Sequence, residues 1–227
     1  MHDMPTRSER PATTAVRRGA RAAVFLCVFA GAACGRVTKP VSDPAQLAFW
    51  TQLRSLCGQS FVGTVVTAAA ADSALAGQPL VLDFWQCYHR ELRLAFHVGN
   101  DHSRVWLLAS DQTALRLSHS LHDSTGAALR FSGYGGKTQD AGTPAKQVFH
   151  LEPGSLSQVP AAAGTTWTIE VLPRERLTYA LLAPAGELRF RVDFDLRQRA
   201  SRRLPSPWGF TRLRGRVAAD SAASRSP

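Results

Sequence analysis

The chain lacks the patterns that usually announce a membrane span, a zinc site or a hydrolase. Its longest apolar run, Ala22 to Ala33, is 12 residues, whereas a helix that crosses a bilayer needs about 20. The four cysteines, Cys27, Cys34, Cys57 and Cys87, include no Cys-x-x-Cys pair, so finger- and ribbon-type zinc sites have no ligand spacing. No Gly-x-Ser-x-Gly elbow occurs, which removes the usual signature of a strand-to-helix serine nucleophile. Net charge is also missing where it would matter most. The formal +10 divides into +3 over residues 1–21, +7 over 197–227 and zero over 22–196. A nucleic-acid-binding domain carries its positive charge on the folded face, so no nucleic-acid partner is expected.

What is present begins with an export signal. Arg17, Arg18 and Arg21 precede the short apolar run, which ends in the small residues Ala30, Gly31, Ala32 and Ala33, the layout of a secretory signal peptide. Cys34 after these small residues resembles the cysteine of a bacterial lipobox, which is acylated and becomes the new N-terminus, although Gly31 stands where a branched aliphatic is usual. Residues 1–33 are therefore expected to be a signal peptide that takes Cys27 with it. Residues 34–46, with two prolines and no periodicity, are expected to be a tether. The mature protein would be a periplasm-facing lipoprotein held to the membrane by Cys34. Ordinary cleavage near Ala32 or Ala33, leaving a soluble periplasmic or secreted protein, is the alternative.

Residues 47–196 are expected to form the domain. "AQLAFWTQLRSLCG" places Leu47, Trp50, Leu53 and Leu56 at helical spacing and ends at Gly58, which predicts one amphipathic helix. Thereafter the period is two. Leu188, Phe190, Val192, Phe194 and Leu196 alternate with Arg189, Arg191, Asp193 and Asp195, the pattern of a half-buried antiparallel strand. Strands are expected over 60–66, 79–88, 91–98, 104–110, 113–121, 128–134, 146–151, 166–172, 176–183 and 187–196, joined by short turns. Without helical crossovers, such a series closes most readily into an antiparallel up-and-down barrel, since closure removes exposed edges. The expected class is all-β, with about ten strands and one N-terminal helix. A β-sandwich is the alternative. After Leu196 the chain is rich in Arg, Ser and Pro, and 197–227 is expected to be a basic disordered tail, in which "WGFTRLRGRV" is a stretch able to dock on a partner or on acidic headgroups.

Cys57 and Cys87 remain after the leader is removed, and in an oxidising compartment two such cysteines pair. A hairpin register with Val62 opposite Leu82 and Val65 opposite Pro79 also sets Cys57 opposite Cys87.

Candidate chemistry is sparse. "FSGYGGKT" (131–138) approaches a phosphate-binding loop, but Phe131 stands where its first glycine belongs and no helix follows Thr138. His97, Asp101 and His102, and His119, His122 and Asp123, are imidazole–carboxylate groups without metal-motif spacing, and no metal or other cofactor is expected. Asp193 and Asp195 alternate with arginines and read as a solvated salt-bridge ladder. His119 falls in phase with Leu115, Leu117 and Leu121, so it points inward. If the barrel is hollow, it is a polar group in an apolar cavity, with Trp85, Phe131 and Tyr179 as further candidate ligand contacts.

The segments "FWTQLRSLCGQSFVG" (49–63), "FHVGNDHSRVWLL" (96–108) and "YGGKTQDAGTPAKQVF" (134–149) resemble a group of uncharacterised exported bacterial proteins. That likeness spans about 49–196 and implies an envelope location without an assigned activity. A helix leading into "CGQSFVG" and a ten-strand meander also resembles the calycin class of lipocalins and fatty-acid-binding proteins, which implies a barrel. Together these lead to a monomeric, non-catalytic barrel that binds a small apolar molecule. The alternatives are a solid envelope protein that uses its basic tail to hold a partner, and a metal- or histidine-dependent enzyme.

Overall fold

The computed structural model describes residues 43–68, 75–200 and 204–212, all within the unit Val37–Pro227. The expected signal peptide with Cys27, the tether from Cys34 up to residue 42, and the tail beyond residue 212 lie outside the described residues.

Ten antiparallel strands close into a barrel: β1 (Ser60–Ala68), β2 (Leu80–Cys87), β3 (Glu91–Val98), β4 (Asp101–Ser110), β5 (Leu115–Leu121), β6 (Tyr134–Lys137), β7 (Lys146–Leu151), β8 (Thr166–Leu172), β9 (Arg176–Leu182) and β10 (Leu188–Arg199). Each strand pairs with its sequence neighbours, and β10 pairs back with β1. The alternation seen in the sequence is what drives closure. Phe190, Val192 and Phe194 are buried while the intervening Arg191 and Asp193 are only half-covered. On the outside Arg191 binds Asp193 at 2.8 Å and Arg197 binds Asp195 at 2.9 Å, so the expected salt-bridge ladder is present. Gly63 lies opposite Phe194 at the seam, and a side chain there would run into the Phe194 ring.

One helix, α1 (Pro44–Ser55), stops one end of the barrel. Asp43 caps it by accepting from the Ala45 and Gln46 amides, and Pro44 fills the first turn, where no amide bond is lost. The buried face is Gln46, Phe49, Trp50 and Leu53, so the stripe is rotated from the expected one and Leu47 is exposed. Gln46 belongs inside because its amide donates to Thr138 Oγ1 at 2.9 Å and to the Asp140 carbonyl at 2.8 Å. Gln52 donates to the Pro144 carbonyl, and Arg54 to those of Tyr88 and His89. These bonds tie the helix to the β2–β3 and β6–β7 connections, which lie at the same end.

Cys57 and Cys87 are bonded, with Cα atoms 6.1 Å apart. The hairpin register differs by one residue from the expected one. Phe61 faces Leu82, Val62 faces Val81, and the ladder ends at Gly63 and Leu80 before Val65 or Pro79. Period two explains the shift: buried Phe61 must share a face with buried Leu82. The disulfide lies beyond this ladder, after an irregularity at Phe84/Gln86, and clamps the end of α1 to the end of β2.

The sixth strand also moves, from the expected 128–134 to Tyr134–Lys137. Leu129 and Phe131 are exposed in the preceding turns. A side chain on Gly135 would collide with the Leu117 carbonyl, and one on Gly136 with that of His150, so this glycine pair lets β5 and β7 approach on either side. The glycines and lysine of the phosphate-loop-like "GGKT" are thus strand, and the Thr138 hydroxyl that follows accepts from the Leu115 amide. The 152–165 connection holds a helical turn at Pro153–Leu156, followed by a 3-10 turn at Pro160–Ala162.

The last strand runs to Arg199, past the expected boundary at Leu196. Residues 204–212, inside the stretch expected to be a disordered tail, lie against the outer wall. The Phe210 ring meets Trp85 at 6.0 Å and His122 at 5.1 Å, and Trp208 meets His102 at 6.0 Å. The Trp208 amide donates to the His102 carbonyl at 3.0 Å. Aromatic burial therefore orders a segment whose charge and proline content suggested none.

Candidate functional site

With α1 closing one end, the barrel keeps a cavity of about 180 Å³ toward the other. Leu121 and Leu181 stand near the rim, at the ends of β5 and β9. Deeper, the wall is made of rings: Phe96, Trp106, Tyr134, Trp167, Tyr179 and Phe190. They come from six different strands, each at an inward position of the two-residue alternation. Trp106 and Tyr179 stack at 4.2 Å, and Phe96 lies 5.2 Å from Trp106.

His119 points into the interior, as its phase on β5 predicts. It is 4% exposed. Its Nε2 is 2.7 Å from the Tyr179 hydroxyl, its ring stacks on Tyr134 at 4.7 Å, and Trp167 lies 5.2 Å away. Burial pushes its pKa down to about 4, the Tyr134 backbone opposing part of the shift, because a cation here would lose its water without gaining a counter-charge. The imidazole is therefore neutral at physiological pH, with its Nε2 hydrogen-bonded to the Tyr179 phenol.

Arg104 also lines the wall. Its Nη1 binds the Asp101 carboxylate and lies 3.2 Å from Ser103 Oγ. The Asp101 carboxyl pKa is held below its usual range: desolvation raises it, but bonds from Ser103 and Arg104 together outweigh that effect. The pair brings no net charge to the cavity. Among the described residues the wall contains no Ser, Cys, Asp or Glu.

Of the four candidate ligand contacts, His119 and Tyr179 meet inside, and the other two stand elsewhere. Trp85 points to the outer face, buried under Phe210 with the Arg212 guanidinium 5.5 Å from its ring. Phe131 is 47% exposed on the β5–β6 connection, with Arg130 over it at 5.5 Å. The histidine–carboxylate groups do not assemble into metal sites: no cluster of three or more His, Cys, Asp or Glu side chains with suitable geometry occurs among the described residues. His97 and His102 approach each other at Nδ1, but Asp101 turns to the Ser103 amide and Arg104. His122 lies by Phe210, away from His119.

Sequence reasoning missed Arg104, Trp106, Tyr134 and Trp167. The signal for the first two was available, since Arg104 and Trp106 share a parity with Leu108 along β4. Nothing in the sequence, however, says that β4 faces β9 across the lumen.

No family model, no curated protein and no solved structure matches the chain. The closed ten-strand antiparallel barrel is compatible with a calycin-like class.

Proposed function

We propose that the protein is a lipid-anchored envelope protein whose barrel binds a small, largely apolar molecule without transforming it. The observation that carries this reading is the ring-lined cavity of about 180 Å³ with the neutral His119–Tyr179 pair on its wall. An apolar concavity with one or two placed polar groups is how small-molecule sites are built. A packed structural barrel would fill this end as α1 fills the other. Catalysis is disfavoured because His119 is already engaged with Tyr179 and no nucleophile or carboxylate lines the wall among the described residues. Support for the envelope location comes from the arginine–apolar–small leader ending at Cys34, and from the Cys57–Cys87 bond, which suits an oxidising compartment.

Native mass spectrometry of protein purified from its own source tests the binding role. The wild type should retain a small molecule, and Leu181→Trp, which fills the wall, should not. Wild-type protein that emerges empty, or a variant that keeps the same molecule, overturns the reading.

A further inference from the structure

We infer that the cavity takes an uncharged, planar, single-ring compound bearing one hydroxyl-type polar group, a phenol-class ligand, rather than an acyl chain or an aromatic anion. The inference rests on the binding role of the cavity and narrows it by size, wall chemistry and charge.

Size comes first. A cavity of about 150 Å³ with apolar walls accommodates benzene, and drug-sized ligands need roughly 300 Å³ or more. At about 180 Å³, there is room for one ring and a substituent. A sterol or a long acyl chain has none, and with α1 buried across the far end through Phe49, Trp50 and Leu53 it cannot extend through the barrel.

The wall chemistry favours a ring over a chain of equal volume. Six aromatic side chains line the lumen, among them Trp106 and Tyr179, which stack on each other, and Tyr134, which stacks on His119. Aromatic faces carry negative and edges positive electrostatic character, so a planar guest gains offset-stacked and edge-to-face contacts that a saturated chain does not. The polar part is met by the His119–Tyr179 pair, joined at 2.7 Å. A phenolic oxygen has one donor and two acceptor positions, so the Tyr179 hydroxyl can bond a guest hydroxyl as well as His119.

Charge excludes the anion. The one cation on the wall, Arg104, is spent on Asp101, and His119 is buried where charge is penalised. A carboxylate seated there would lose its hydration with no unpaired cation to receive it.

The test titrates the purified protein with phenol, toluene, benzoate and octanoate. Binding is followed by NMR shifts of the Trp106 and Trp167 indole N–H groups, in the wild type and in Tyr179→Phe. Phenol should bind the wild type at least tenfold more tightly than benzoate or octanoate. Tyr179→Phe should weaken phenol by roughly five- to tenfold, the loss of about one hydrogen bond. Toluene should stay within about twofold, which also reports that the variant is folded. Octanoate binding as well as phenol overturns the ring class while leaving the cavity a binding site. Benzoate equal to phenol overturns the uncharged assignment. An equal loss of phenol and toluene in Tyr179→Phe overturns the hydroxyl site. If none of the four binds the wild type, the binding role itself falls and takes the inference with it.

Discussion

His97 and His102 meet Nδ1 to Nδ1 at 2.8 Å on the outer wall of the barrel, with the Trp208 indole 6.0 Å from the His102 ring. A contact that short needs one N–H and one lone pair, so the two rings cannot both be protonated while it holds. Burial, and then the neighbouring His102, pushes the His97 pKa down to about 4. Burial also lowers that of His102, against the pull of Asp101.

A pH dependence of stability follows from these groups together with His119. In the folded protein His97 and His119 protonate near 4, against 6.5 for an unperturbed histidine. Above pH 6.5 the folded state has its full stability. As the pH falls from 6.5 toward 4, the unfolded chain takes up protons that the folded one refuses, and stability drops by about 1–3 kcal/mol for each histidine. Asp83, whose carboxyl burial raises, works in the opposite sense. The lowered carboxylates Asp101 and Asp193 lose their contribution only as the pH falls below 3.8, the value of an unperturbed aspartate. Urea unfolding between pH 7 and 4 should show the decline, with a shallower slope in His119→Phe. A stability that is flat to pH 4 would contradict the burial of these rings.

The Cys57–Cys87 bond closes a loop with a sequence separation of 30. Cys87→Ala should lose roughly 2–4 kcal/mol, and wild type in reductant a similar amount. The Cys57→Ala/Cys87→Ala double variant should match the single one in denaturant titration, because one bond is lost in each case. The unfolded wild type should show no reaction of Cys57 or Cys87 with a thiol reagent before reduction.

Residues 204–212 cover Trp85 through Phe210, and Gln86 reaches the Thr211 carbonyl at 3.5 Å. Phe210→Ala should cost about 1–2 kcal/mol, the value of a partly buried aromatic side chain. A chain ending at Ala200 should show red-shifted tryptophan emission as Trp85 meets water. Ligand binding in the cavity should be unchanged, because the segment lies outside the barrel and the cavity inside. A truncation that leaves the emission where it was would mean that the outer wall does not need this cover.

The lipid anchor is tested at Cys34. Cells supplied with a labelled fatty acid should mark the wild type and not Cys34→Ser, whose product should leave the membrane fraction. Equal labelling of both would place the acyl group elsewhere or remove it from the proposal.

Much of this fold was legible in the residues themselves. Alternation in "ELRFRVDFDL" and "RELRLAFHV" defines half-buried strands, short turns between strands call for antiparallel neighbours, and edge satisfaction calls for closure. The phase of His119 with Leu115 and Leu117 sends it inward without any knowledge of the partner strand. The pairing of Cys57 with Cys87 follows from the expectation that a leader carries Cys27 away and leaves these two in an oxidising compartment.

Other features depend on which neighbour a strand receives, and alternation carries no information about that. Period two says that Phe61 faces inward, but only the opposing face of β2 decides that it meets Leu82, one position from the expected register. The strand at Tyr134–Lys137 is invisible to propensity because its glycines are there for the backbones of β5 and β7. Trp208 and Phe210 read as part of a solvated tail until the outer wall supplies Trp85, His102 and His122 to pack on. The site itself was the least legible part. His119 and Tyr179 are 60 positions apart and share a hydrogen bond only because closing the sheet turns β5 and β9 toward one lumen.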